Sequence, residues 1–424
     1  MKISVIGAGI IGVTTAYELA CDGHEVTVLE RRGAAAEETS FANAGIVAPG
    51  YVTPWAAPGM PLKVLKHMFS RHAPVKVRLP LSGSELAWMW RWYRACTPQT
   101  YLASRTQLQR LAFYSRQRLR QITADLNLDY DRSVGYLVLL RSQNDSDMVQ
   151  PGLQVLRDAG VAFTALDAAG ARRIEPALNP DTAFLGAIHV PGDEVGNCRQ
   201  FCLMLKNEAQ ALGVEFLFNT PVAGLAQAGR SSAFAVQVEG ETAPRAFDAV
   251  VVCAGLASAA LLRPLGLKIP LAAVYGYSLS APIHAPLNAP PAAPRSAVMD
   301  ERYKVAISRL GNRVRVAGSA EMGGAPERHR ASCIQTLYKV LNDWYPGAAA
   351  QTGSAQIWKG ARPMLPDGPP VIGQSGVPGL WLNLGHGSSG WALSCGSARV
   401  LADLLENKSP ALDMAGFGVG RYTL

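Results

Sequence analysis

At 424 residues the chain has room for two to three domains of ordinary size. Apolar residues make up 49% of it and charged residues 17%, which excludes a disordered chain, and seven cysteines are too few for a disulfide scaffold. The 40 Lys and Arg against 32 Asp and Glu give a formal net charge of +8, which admits an anionic substrate, a polyanion or an acidic membrane surface without choosing among them.

The chain opens on a short apolar run, Lys2 to Ile6, suited to a buried parallel strand. Gly7-Ala8-Gly9-Ile10-Ile11-Gly12 follows at once, helical spacing continues to residue 21, and 25–30 reads as a second strand ending in Glu30. No signal peptide is expected, because the first strand begins at Lys2 with no basic and apolar leader before it. Residues 33–62 read as extended loop, and 63–94 as a basic and aromatic block. A helix is predicted at 105–126, a strand at 134–140, a helix at 151–160, a helix at 197–212 and a strand at 214–218. A very apolar strand at 249–254 runs into Gly255. Strands at 271–280, 303–309 and 313–317 suggest an antiparallel sheet, closed by a helix at 331–343. The last predicted elements are a strand at 380–384, the turn 385–390 and a helix at about 391–406. Three stretches, 39–62, 269–294 and 368–398, carry no charge and exceed the ~20 residues that cross a bilayer. Their prolines and glycines argue against a spanning helix, so the expectation is a soluble or peripherally attached cytoplasmic protein with reduced thiols.

The three N-terminal glycines have separate tasks in a strand–turn–helix unit. Gly7 permits the tight turn, Gly9 lets a pyrophosphate approach the backbone, and Gly12 lets the helix pack close to the strand. Glu30 is placed to accept ribose hydroxyls, which disfavours a 2′-phosphate. One dinucleotide site is expected, at Gly7–Gly12, where the glycine pattern is followed by a helix and a second strand ending in an acid; the same spacing recurs at Gly385–Gly390 with no such acid after it. The second signal is the turn 385–390, which opens a helix and would aim backbone N–H groups at a bound ring system. These residues alone leave FAD and NAD both open.

Longer blocks decide it. The chain carries Glu38-Thr-Ser-Phe-Ala-Asn-Ala-Gly45, Pro49-Gly-Tyr-Val-Thr-Pro-Trp-Ala-Ala-Pro58, Lys66-His-Met-Phe-Ser-Arg-His-Ala-Pro74 and Trp88-Met-Trp90. Further on come Gly276-Tyr-Ser278, Tyr303-Lys-Val-Ala-Ile-Ser-Arg309, Gly360-Ala-Arg-Pro-Met-Leu-Pro-Asp-Gly368 and Leu382-Asn-Leu-Gly-His-Gly-Ser-Ser-Gly-Trp391. In these, over essentially its whole length, it resembles the D-amino acid dehydrogenase small subunit family, within the D-amino acid oxidase-like flavoproteins. The resemblance implies non-covalent FAD and oxidation of a D-amino acid at its Cα–N bond, by hydride transfer to flavin N5. The products would be a 2-oxo acid and ammonia, with electrons passed to a quinone or another acceptor that is not O₂. The alternatives kept are oxidation of a secondary amine (sarcosine, glycine, D-proline or D-hydroxyproline type) and a flavin-binding protein without turnover.

The resemblance makes Arg362 the clamp for the substrate carboxylate, against a structural Arg paired with a surface acid. Tyr303 would reach the substrate, against a buried sheet tyrosine. His386 is either catalytic or a helix-start histidine bonded to backbone. Some relatives carry a second Arg in the turn that here has Ser388, and close relatives more often carry Lys where this chain has Tyr275. The FAD contacts would be Gly7, Ala8, Gly9, Ile10, Ile11, Gly12, Glu30 and Arg31. Beside the flavin come Ala42, Asn43, Ala44 and Gly45, then Val222, Ala254 and Gly255, and the turn Gly385, His386, Gly387, Ser388, Ser389, Gly390. No metal site is expected: Cys198 and Cys202 read as core thiols. The block 63–94 is either a substrate-domain surface with buried tryptophans or a contact with anionic lipid. Nucleic-acid binding is not expected, since the basic residues follow no recognisable motif.

The fold class expected is α/β (α+β overall): a Rossmann-like FAD-binding domain with an interleaved antiparallel-sheet substrate domain. The first would comprise 1–50, 142–262 and 355–424, the second 51–141 and 263–354.

Overall fold

In the computed structural model, residues 1–67, 70–227, 234–284, 292–349 and 354–422 are described. A six-stranded sheet has the order Val371–Gln374, Leu380–Leu384, Ala249–Val252, Lys2–Ile6, Glu25–Leu29, Glu215–Leu217. Its pairs are parallel except the first. The apolar runs predicted as buried strands are so because helices cover them: Ile3, Val5, Val26, Val28 and Val251 share one core with residues of the helices Ile10–Cys21, Cys198–Ala211 and Gly390–Leu405.

The second sheet is largely antiparallel and ten-stranded. Its path is Gln356–Met364, Ala272–Pro282, Arg313–Met322, Val305–Leu310, Ala297–Asp300, Ser133–Leu140, Gly186–Val195, Ile46–Val47. Val75–Val77 and Thr164–Asp167 pair with it off that path. One face buries the amphipathic helix Ala331–Trp344, whose Leu337, Val340, Leu341 and Trp344 meet Tyr277, Leu279, Ile307 and Val316. All seven cysteines are free; Cys198 and Cys202 are buried in the nucleotide-side core.

The sheets divide the chain differently from the expected boundaries. Residues 164–167 and 186–195, expected with the dinucleotide half, are strands of the ten-stranded sheet, as are 46–47 and 356–364. Conversely the helix Pro98–Asp125 buries Leu108, Leu111, Leu119 and Ile122 in the core of the six-stranded sheet. An amphipathic pattern reports that a face is covered but not by which sheet, so the crossings were invisible in sequence. The helix predicted at 151–160 runs from Gln143 to Asp158 with Pro151 inside it, where a proline would ordinarily mark a boundary.

Candidate active site

Four adjacent strands of the six-stranded sheet end side by side, and each C-terminal end carries one expected motif. Ile6 leads to Gly7, Leu29 to Glu30, Val252 to Ala254 and Gly255, and Leu384 to Gly385. Ligands of open α/β sheets bind in this crevice. Above it lies a cavity of ≈ 2000 Å³ between the two sheets, lined by every residue expected on cofactor or substrate except Ala8 and Gly12.

Those two exceptions build the crevice from behind. A Cβ on Gly12 would sit 1.8 Å from the Gly7 carbonyl oxygen, so only glycine lets the helix lie on the strand. Gly7 has φ +104°, and Gly9 has open space in front, with Ser40 Oγ at 3.5 Å from where a Cβ would be. The Ala8 N–H donates to Glu30 Oε2 at 2.6 Å, and the Arg32 N–H to Glu30 Oε1 at 2.8 Å. Glu30 therefore stiffens the turn in addition to facing the cavity, where each oxygen keeps a lone pair for a hydroxyl. Ser40 Oγ accepts the Ile10 N–H at 3.0 Å at the otherwise uncapped helix start, a role the sequence reading missed. Arg31 is exposed and paired with Glu38 at 2.8 Å at the cavity edge. Val222 opens the strand Val222–Gln227 on the far side.

At the other end, Arg362 lies on the cavity face of the strand Gln356–Met364. Its Nη1 donates to the Ser319 carbonyl at 3.1 Å, and its guanidinium lies 6.0 Å from the Trp55 ring centroid. Among the described residues it forms no ion pair, and burial pushes its pKa down to about 10. Two unusual neighbours make its place. A Cβ on Gly276 would come within 2.3 Å of its Nη2, and Ser319 adopts the left-handed φ of +56° that turns its carbonyl to the arginine. Gly276 stood in a quoted motif with no role assigned; the Ser319 geometry has no sequence signal.

His386 is 5% exposed, and among the described residues its Nε2 has no partner. Burial depresses its pKa to about 3, so the ring is neutral at ordinary pH and one nitrogen is left for a bound group. The unfolded chain takes up a proton near 6.5 and the folded one near 3, so stability falls as pH drops below about 6.5. The contribution is about 1.4 kcal/mol per pH unit. A His386→Gln variant should flatten the apoprotein's melting temperature between pH 7 and 5; an unaltered slope would contradict this. Gly387, at φ +57° with Met364 Sδ 2.8 Å from its would-be Cβ, shapes the same turn, and Ser388 Oγ accepts the Trp55 indole N–H at 3.3 Å.

Tyr303 occupies the turn between Ala297–Asp300 and Val305–Leu310, and its ring is flanked by Arg141 at 5.2 Å and Lys339 at 5.4 Å. It lines the cavity, and the Lys304 carbonyl beside it lies 3.0 Å from a would-be Cβ on Gly318, next to Ser319. Tyr275 does not face the cavity: it is buried under Lys359, whose Nζ is 4.2 Å from its ring. The departure from relatives at this position therefore lies outside the pocket.

Within 63–94, residues 68 and 69 lie outside the described residues. Trp88 is buried and donates to the Met364 carbonyl at 3.0 Å, and Lys76 is buried on the carbonyls of Ser70 and Arg71. The rest is a surface. Leu62, Leu65, Leu86, Trp90 and Tyr93 are each more than half exposed, among Lys63, Lys66, Arg71, Arg91 and Arg94. Leu62, Lys63 and Lys66 also line the cavity, which therefore opens at this patch. No helix of the described residues is long and apolar enough to cross a membrane.

The glycine cradle, the unpartnered His386 nitrogen and the size of the cavity suit a flavin dinucleotide, and comparison with known proteins agrees. The model of a family described as FAD dependent oxidoreductase matches residues 2–404. D-amino acid dehydrogenases of two strains of Cereibacter sphaeroides are 45% identical over 427 residues, covering 100% of this chain and 95% of theirs. Among solved structures, glycine oxidase from Geobacillus kaustophilus superposes with a TM-score of 0.73 at 23% identity, covering 99% of this chain and 98% of that one. L-proline dehydrogenase from P. horikoshii gives 0.73 at 17% identity, covering 99% and 97%. The chain thus belongs to the FAD-dependent oxidoreductase family, with curated D-amino acid dehydrogenases among its full-length relatives.

Proposed function

We propose that the chain oxidises D-amino acids, D-alanine-like and of broad range, and passes the electrons to a quinone or another acceptor that is not O₂. The observation that carries this is the buried guanidinium of Arg362, a cation with no carboxylate of its own among the described residues, at the flavin end of the cavity. A substrate carboxylate arriving there would supply the missing charge and take a bidentate pair of hydrogen bonds. The curated relatives supply the D-amino acid class.

FAD, when held by Gly7, Gly9, Glu30 and the turn 385–390, would supply the oxidising power as the two-electron acceptor. This chain's residues do the rest by placement. Arg362 fixes the carboxylate, and the Trp55 ring beside it keeps water from that side. Tyr303 lines the cavity with its ring held between Arg141 and Lys339, and neutral His386 offers its nitrogen without adding charge. Loss of two electrons and two protons turns the amine into an imine, which water converts to a 2-oxo acid and ammonia. Anaerobic absorbance spectra test the reading. D-alanine, but not L-alanine, should bleach the flavin band; bleaching by sarcosine or D-proline alone would move the chain to the secondary-amine class. A flavin that no amine reduces would mean binding without turnover.

The patch around Leu62, Leu65, Trp90 and Tyr93 suits a peripheral contact with the inner face of the cell membrane. From there a lipid-borne acceptor could meet the cavity mouth. Each cation near an anionic surface is worth about 1 kcal/mol. Reversing Lys63, Lys66 and Arg71 to glutamate should weaken sedimentation with anionic liposomes by about tenfold or more. Unchanged binding would remove the membrane contact and leave the oxidation untouched.

A further inference from the structure

The loop 42–45 lines the cavity between the substrate arginine and the turn 385–390. Thr39 Oγ1 ties its start to the Ala361 carbonyl at 2.7 Å, beside Arg362, and Trp391 Nε1 donates to the Gly45 carbonyl at 3.1 Å. The Asn43 carbonyl takes Arg315 Nη1 at 3.2 Å, and the Ala44 carbonyl takes Ser308 Oγ at 2.7 Å. Three consecutive carbonyls are thus held by three side chains from three elements. Since N–H and C=O of a trans peptide point opposite ways, the Ala44 N–H is turned away from Arg315, and Ala44 lines the cavity.

Arg315 does not stand alone. Its Nε donates to Ser280 Oγ at 2.8 Å, Arg313 donates to the Ser280 carbonyl at 3.3 Å, and the Arg199 guanidinium lies 4.3 Å from the Phe41 ring centroid. None of the three lines the cavity, and among the described residues none forms an ion pair. Arg199 Nε is buried and has no partner among the described residues. It also sits in the first turn of the helix Cys198–Ala211, the end where the backbone dipole disfavours a cation. Burial and, after it, the neighbouring charge of Arg313 push the Arg315 pKa down to about 10. Partly desolvated positive charge with no carboxylate beside it among the described residues costs stability.

We propose that Arg315 is a positioning residue for the flavin: it anchors the loop 42–45 and, with Arg199 and Arg313, holds positive charge behind it that favours the electron-richer reduced state. This rests on FAD occupying the cavity. The test equilibrates purified holoenzyme with a redox dye and reads the reduced-to-oxidised flavin ratio, with FAD content and melting temperature measured alongside. Arg315→Met should lower the ratio at fixed poise about tenfold, a shift of about 30 mV for a two-electron couple. Arg315→Lys, which keeps the charge and loses the planar fork, should recover most of it. Reduction by substrate should slow with KM unchanged, since Arg362 is untouched. An unchanged ratio in Arg315→Met, or a loss in Arg315→Lys as deep as in Arg315→Met, overturns the proposal. Should Arg315→Met fail to fold, Arg313→Met, at a half-exposed position off the loop, must lower the ratio by itself; no change there overturns it equally. An unsubstituted protein that holds no FAD would fail on the cofactor instead.

Discussion

Arg362→Met is expected to lower kcat/KM for a D-amino acid by about 10³-fold, because truncating one partner of a buried charge pair costs about 2–5 kcal/mol. The loss should fall on KM as well as kcat. The carboxylate contact is made in the ground state, and its orientation of Cα is needed at the barrier. Arg362→Lys keeps the charge but lacks the two-pronged donor, so it should recover only part. A subtler variant separates position from charge. Gly276→Ala places a methyl where the Arg362 Nη2 lies, at 2.3 Å, and leaves every charged group in place. A displacement of about 1 Å at such a clamp can cost about 10²-fold. Steady-state kinetics on D-alanine with an artificial acceptor checks both. If Arg362→Met stays within threefold of the parent, the carboxylate is held elsewhere and the proposed substrate pose is wrong.

The site was legible where chemistry demands a residue type at a fixed distance along the chain. Gly7, Gly9, Gly12 and Glu30 belong to one strand–turn–helix–strand unit, so their spacing carries their geometry, and the four strand ends fall where the apolar runs stop. Arg362 was reachable only through resemblance, because its neighbours come from far away in sequence: Ser319 on one strand, Trp55 in a loop, Gly276 on another strand. The division of the chain between sheets was legible for the first strands and for 271–317, and not for the segments that cross over. Gly186–Val195 looks like any half-buried strand, and only its pairing with Ser133–Leu140 and Ile46–Val47 assigns it to the substrate-side sheet. The tryptophan block was half legible: composition marks Trp88 and Trp90 alike, yet one is buried against the Met364 carbonyl and the other is 62% exposed.

Gly12→Ala is expected to be the most damaging single methyl in the protein, and its contrast with Gly9→Ala separates scaffold from cofactor. At Gly12 the new Cβ meets the Gly7 carbonyl oxygen at 1.8 Å, backbone against backbone, so the helix Ile10–Cys21 must lift from the first strand. That helix packs Val13, Ala16 and Leu19 into the main core, so lifting it costs about 3 kcal/mol or more, about 5 °C in melting temperature. At Gly9 nothing of the kind happens: φ is −70° and the nearest atom, Ser40 Oγ, is at ordinary contact distance. Gly9→Ala should therefore fold and melt, as apoprotein, within about 1 °C of the parent. It should nonetheless bind FAD at least about tenfold more weakly, because its methyl occupies the space through which a pyrophosphate approaches the helix start. Thermal melts with and without added FAD, beside a flavin-fluorescence titration, read the two effects separately. A Gly9→Ala protein with unchanged FAD affinity would place the pyrophosphate away from this turn, whereas a Gly12→Ala protein with an unchanged melt would mean that the helix and strand part at no cost.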